Sequence, residues 1–79
     1  MQQSLLDHIV LDPKVMLGKP VIRGTRIPVE LIVRMAGQGI SDQEILREYP
    51  RLTSEDIRAA VMYAAEVVAG EDVFPIPVS

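Results

Sequence analysis

The sequence predicts a mainly α fold, in which a helix-turn-helix core of three helices follows a small N-terminal two-strand element. Three observations carry this. Two helix-start signatures of one design follow each other, Ile40-Ser41-Asp42-Gln43-Glu44-Ile45 and Leu52-Thr53-Ser54-Glu55-Asp56-Ile57. Between them, Pro50 lacks an amide and disfavours the helical conformation at Tyr49, so one helix stops there and the chain turns within a few residues. Finally, aromatic residues are few, and a core built from Leu, Ile, Val, Ala and Met suits packed helices.

Each signature has its own chemistry. Ser41 can cap the first free amides, Glu44 can reach back to it, and Ile40 can pack on Ile45 across the cap. In the second, the box residue is Asp56 instead of Glu or Gln, a weaker version, while the staple of Leu52 with Ile57 is intact. The helices are expected at Val29 to Ala36, Asp42 to Tyr49 and Ser54 to about Ala69. Pro28 fits the first turn of the first, and Gly37, Gly39 and Gly70 fit helix ends. On the first helix Val29, Ile32, Val33 and Ala36 form one apolar face and Leu31 and Met35 a second, so more than one side should be covered; Glu30 and Arg34 are a favourable i, i+4 pair. The last helix is expected to turn Ile57, Val61, Ala64 and Val68 to the core. Its other face carries Glu55, Ala59, Met62 and Glu66, with Arg58 and Tyr63 at the flanks.

Upstream, His8-Ile9-Val10-Leu11 reads as a short strand ended by Asp12-Pro13, and Val21-Ile22-Arg23 as another, broken by Gly24-Thr25. His8 is read as a surface residue at the strand edge, Met16 and Leu17 as core. Gly18-Lys19 is not a phosphate-binding loop, because Pro13 stands where that loop needs glycine and Pro20 where it needs Ser or Thr. The domain is therefore read as residues 1–70, with residues 71–79 an extended tail. Phe74-Pro75-Ile76-Pro77-Val78 is extended because of its prolines, and its apolar residues want a docking place, in the chain's own core or on a partner.

A chain of 79 residues buries only about 60% or slightly more of its unfolded surface, so oligomerisation would help it. With no cysteine and the single His8, neither a thiolate site nor a histidine cluster is available, and no metal or cofactor is expected. No catalytic set can be drawn around His8, and the chain is read as a non-enzyme. The N-terminus lacks a signal-peptide pattern and no segment approaches a membrane span, so a soluble, cytoplasmic protein is expected.

The net charge of -3 hides an asymmetry. Between Pro13 and Val29 the charged residues are Lys14, Lys19, Arg23 and Arg26, whereas the helical half and tail are acidic on balance; a polyanion should prefer the former. Two candidate DNA surfaces follow. A helix-turn-helix reads DNA with the start of its second helix, here Ser54 and Arg58 preceded by Arg51. Glu55 and Asp56 would repel phosphates there, and the competing reading is a three-helix bundle that uses the motif only for packing. The second surface is Lys14, Lys19, Arg23 and Arg26, as a basic ribbon if the flanking strands pair between two copies. Against it stands a solvated loop whose arginines hold acidic residues of the helices. For protein partners the candidates are Met62, Tyr63, Phe74, Ile76 and Val78, with burial within the monomer as the competing reading for the first two.

Taken together, Asp12-Pro13, Gly18-Lys19-Pro20-Val21-Ile22-Arg23-Gly24-Thr25-Arg26-Ile27-Pro28-Val29, Gly39-Ile40-Ser41, Glu44-Ile45-Leu46, Tyr49-Pro50, Leu52-Thr53, Asp56-Ile57 and Ala59-Ala60 resemble a small bacterial and archaeal family, domain of unknown function 433. The likeness covers about Ile9 to Ala69. It implies a homeodomain-like three-helix core, a homodimer, and an antitoxin-like role in a type II toxin-antitoxin pair. The implied partners are a PIN-like nuclease toxin encoded by a neighbouring gene and the operator DNA of its own promoter. The alternative is a structural or protein-protein interaction module that binds no DNA.

Overall fold

The computed structural model describes Leu5, residues 7–14 and residues 16–70, with the backbone alone at Met16. A two-strand antiparallel ribbon comes first: β1 (Ile9–Val10) pairs with β2 (Val21–Ile22), Ile9 opposite Ile22 and Val10 opposite Val21. The Arg23 amide extends it by donating to the His8 carbonyl at 2.8 Å. These strands pair within one chain, not between copies, because the connection reverses through a 3-10 turn, Met16–Gly18. Leu17 sits in that turn at φ 57 and is 96% exposed, which corrects the expectation that it belongs to the core. The left-handed backbone at the turn points its side chain away from the protein. The Met16 side chain lies outside the described residues.

After β2 the chain makes a tight hairpin. The Thr25 amide (3.0 Å) and hydroxyl (2.7 Å) both donate to the Ile22 carbonyl, and the same hydroxyl accepts from the Ile27 amide at 3.0 Å. Gly24 supplies the positive φ of +77 that the bend requires. The Ile22 amide then donates to the Ile27 carbonyl at 3.0 Å and the Val29 amide to the Pro20 carbonyl at 2.9 Å, so Ile27-Pro28 runs back along β2. Pro28, with no amide to satisfy, is the extended residue from which α1 (Val29–Gly37) starts. That helix ends in a Schellman arrangement: Gly39, at φ +84, donates to Ala36 at 3.0 Å and Ile40 to Met35 at 3.1 Å.

The second helix, α2 (Asp42–Glu48), is capped by Ser41, whose hydroxyl accepts from the Glu44 amide at 3.2 Å. It stops at Tyr49, whose φ of -125 and ψ of 79 are the extended geometry that Pro50 imposes. The third, α3 (Ser54–Ala69), has both halves of a capping box. Thr53 accepts from the Asp56 amide at 3.1 Å and the Asp56 carboxylate accepts from the Thr53 amide at 2.9 Å. The expected ranking of the two boxes is thus reversed. Asp56 is fixed by a second partner described below, whereas the exposed Glu44 carboxylate only accepts from the Ser41 hydroxyl at 3.3 Å.

One apolar cluster joins all the elements, with Ile22 from the ribbon, Val29, Ile32 and Met35 from α1, Ile45 from α2, and Leu52, Ile57 and Ala60 around the start of α3. Each large aliphatic side chain buried there contributes roughly 1.5–3 kcal/mol. On α1, Leu31 and Val33 lie half-buried against the cluster and Ala36 is exposed, so the face is broad, as expected, but centred on Ile32. On α3 the expected core stripe is corrected. The buried positions are Asp56, Ile57, Ala59 and Ala60, while Val61 and Val68 are exposed. The stripe is displaced by roughly a quarter of a turn from one drawn through the valines. Ala59 and Ala60 have no exposed surface, so small residues take the buried face and Val61 and Val68 fall to its flank. Among the described residues, three helices behind a two-strand ribbon make the fold mainly α, and the order fits a homeodomain-like arrangement.

Candidate functional site

Two surfaces stand out, one cationic and one apolar. The cationic one forms where the hairpin turn meets the turn between α2 and α3. An Nη2 of Arg51 donates to the Gly24 carbonyl at 2.9 Å across 27 positions of sequence. Arg26 and Arg51 line one depression together with Gly24, Thr25, Val10 and Val21, and Arg23 is exposed in the same turn. Arg51 of one candidate surface and Arg26 of the other, offered by the sequence as alternatives, therefore line the same depression. Among the described residues neither Arg23 nor Arg26 is held by an acid. One guanidinium nitrogen of Arg51 is used by Gly24, and other donors of its fork remain for a ligand. Ser54 opens α3 and Arg58 lies one turn later, both exposed.

Lys19 belongs elsewhere. Its Nζ lies 2.9 Å from Glu30 Oε1 at the start of α1, an exposed pair. The hydrogen bond from Lys19, and then its charge, hold the Glu30 carboxyl below the usual carboxylate range, with Arg34 adding to the effect. The basic stretch is thus divided: Arg23 and Arg26 join Arg51, and Lys19 is neutralised at α1.

A contact not foreseen from the sequence secures this arrangement. His8 Nδ1 lies 2.6 Å from Asp56 Oδ1, a hydrogen bond in which the carboxylate oxygen accepts from the imidazole N–H. Asp56 is 8% exposed and is the buried charged residue among those described; its other oxygen closes the capping box. One carboxylate therefore ties the ribbon to the first turn of α3, so His8 is a fastening residue, not a free edge. The signal was partial: Asp56 was legible as a cap, but the 48 positions separating it from His8 hide the pairing.

The apolar surface is a groove of about 420 Å³ between α1 and the second half of α3, with Val29, Val33, Tyr63, Ala64, Val67 and Val68 among its walls. Tyr63 is half-buried and packs on the core, and Met62 stands exposed beyond the groove with Val61. Phe74, Ile76 and Val78 lie outside the described residues. Among those residues no group of three or more His, Cys, Asp or Glu could hold a metal ion, and no helix is long and apolar enough to cross a membrane.

A ribbon-fastened three-helix domain with a cationic edge and an open groove is the class that this geometry defines. Residues 9–64 match the family model described as Protein of unknown function (DUF433). The chain belongs to that family. It is similar to a crystal structure of a DUF433 member from Anabaena variabilis, with a TM-score of 0.73 and 35% identity over 87% of this chain and 79% of that one. Over 56 residues, 71% of this chain, it is 38% identical to the uncharacterized protein y4eO of Sinorhizobium fredii, and it spans only 25% of that relative's length. An uncharacterized Archaeoglobus fulgidus protein is 60% identical over 30 residues, 38% of this chain and 83% of that protein.

Proposed function

We propose that the protein is a stoichiometric binding protein of the antitoxin kind. It acts as a homodimer, contacts operator DNA along the edge made by Arg23, Arg26 and Arg51, and neutralises a PIN-like nuclease encoded beside it by direct contact. It performs no catalysis of its own, needs no cofactor and works in the cytoplasm. The observation that carries the DNA part is the bond from Arg51 to the Gly24 carbonyl at 2.9 Å. It supports a fixed cationic edge in which the hairpin turn and the start of α3 face the same ligand. Arginine forks suit phosphate recognition, and each phosphate neutralised adds about 0.9 to the slope of log affinity against log salt. Exposed Met62 and Val61 on α3 supply an apolar face for the dimer.

The test is binding to the upstream region at several salt concentrations, with co-expression of the neighbouring gene product. Salt-steep binding that flattens in Arg23→Ala and Arg26→Ala is expected, as is co-purification of a neighbour that is toxic alone. Binding that is absent, or indifferent to salt, removes the DNA reading; a toxic neighbour that is neither bound nor neutralised removes the antitoxin reading. A second reading, an interaction module without DNA, is favoured by the acidic first turn of α3, which carries Glu55 and Asp56, and by the pairing of Lys19 with Glu30. Phosphate would meet repulsion there. The same assay separates the two.

A further inference from the structure

The groove between α1 and α3 is walled by hydrocarbon, yet the described residues leave it open. Its length follows from unequal helices. The 9 residues of α1 span roughly 14 Å and the 16 of α3 roughly 24 Å, so α3 is the longer wall. Val67 and Val68 form its C-terminal end, and the helix gives way to Gly70 just after them. Residues 71–79 continue from this point as Glu-Asp-Val-Phe-Pro-Ile-Pro-Val-Ser.

We infer that this segment doubles back and occupies the α1–α3 groove of its own chain, with Phe74, Ile76 and Val78 on the apolar floor. Reach permits it. The link from Glu71 to Val73 covers up to roughly 10 Å, about the width of a helix, which is what a reversal past a helix end must cross. From Phe74 to Val78 a β-extended segment covers roughly 13 Å at about 3.3 Å per residue, enough to run along the wall from Val68 to Tyr63.

The chemistry fits as well. A wall of valines and alanine offers no partner for buried amides, and Pro75 and Pro77 have none to bury. Both prolines also hold Phe74 and Ile76 extended before docking, so little freedom is lost. In an extended chain Phe74, Ile76 and Val78 share one side. The choice of the chain's own groove over that of a second copy follows from tethering. A short link presents its segment at millimolar effective concentration, which a second copy at micromolar concentration does not match. This inference goes beyond the binding reading above and does not depend on it.

The chain has no cysteine, so introduced pairs report proximity directly. Full-length Val33→Cys/Phe74→Cys, and Glu30→Cys/Ile76→Cys, whose exposed Glu30 leaves the core untouched, are oxidised over a hundredfold range of protein concentration and resolved without reductant. Arg47→Cys/Phe74→Cys, on the exposed side of α2, is the control. At least one groove pair should link within single chains, at least tenfold faster than the control and at a yield independent of concentration. Linking no faster than the control in both pairs overturns the inference. So does linking mainly between chains, which would assign the groove to a second copy.

Discussion

Removing the buried Asp56 carboxylate should cost this domain more than removing any single exposed charge. It accepts the Thr53 amide at 2.9 Å and the His8 imidazole at 2.6 Å, and the residue is 8% exposed. A net hydrogen bond to a charged group contributes about 1.5–3 kcal/mol, and loss of a helix cap typically about 1 kcal/mol. The two share one side chain and do not add fully, so Asp56→Ala should destabilise by about 2–4 kcal/mol. A domain of this length holds only about 4–12 kcal/mol in total. Asp56→Asn keeps an acceptor for Thr53 and should lose about half as much. Urea unfolding measures each variant, and a cycle with His8→Ala isolates the link to the ribbon, expected at about 1 kcal/mol or more. If Asp56→Ala is too unstable to measure, the cycle with Asp56→Asn still reports that link. A coupling below about 0.3 kcal/mol would refute the fastening of the ribbon to α3.

Leu17→Asn should raise stability by about 0.5–1 kcal/mol in the same assay, because a left-handed leucine that is 96% exposed bears strain with no burial to offset it, and asparagine adopts that conformation more readily. A loss of stability would mean that the side chain packs where it is described as exposed. Lys19→Ala should move the carboxyl titration of Glu30, followed by NMR, upward toward the ordinary range. The folded-state value is the depressed one, so the contribution of the pair is present above the unfolded value and is lost as pH falls through the folded one. The pair is exposed and its effect on stability is small. An unmoved midpoint would place the cause away from Lys19.

What the residues revealed in advance was local. Caps, the proline stop at Tyr49 and the glycine end at Gly39 depend on a few neighbouring positions, and all lie where backbone chemistry puts them. The burial stripe of α3 was harder to read, because the wheel favoured large β-branched residues while the buried face is taken by the small Ala59 and Ala60. Leu17 failed for a related reason: its composition says core, but the left-handed turn it occupies points it outward. At the candidate site, the arginines were legible as charges and their grouping was not. Arg51 reaches Gly24 across 27 positions and His8 reaches Asp56 across 48, and no periodicity encodes a pairing at that range.

Those two long reaches have a kinetic meaning. Helices α1 to α3 are built from contacts within a few residues and around short turns, whereas the ribbon is attached through a loop whose closure entropy grows with its length. The ribbon should therefore join the helices late in folding and release them early. Amide exchange at Arg23, whose proton is held by the His8 carbonyl, would then proceed through an opening that leaves the helices folded, while the amides of α3 around Ala60 await global unfolding. Such an opening would carry Gly24 away from Arg51, so the cationic edge would come and go on the timescale of ribbon release, well before the fold itself is lost.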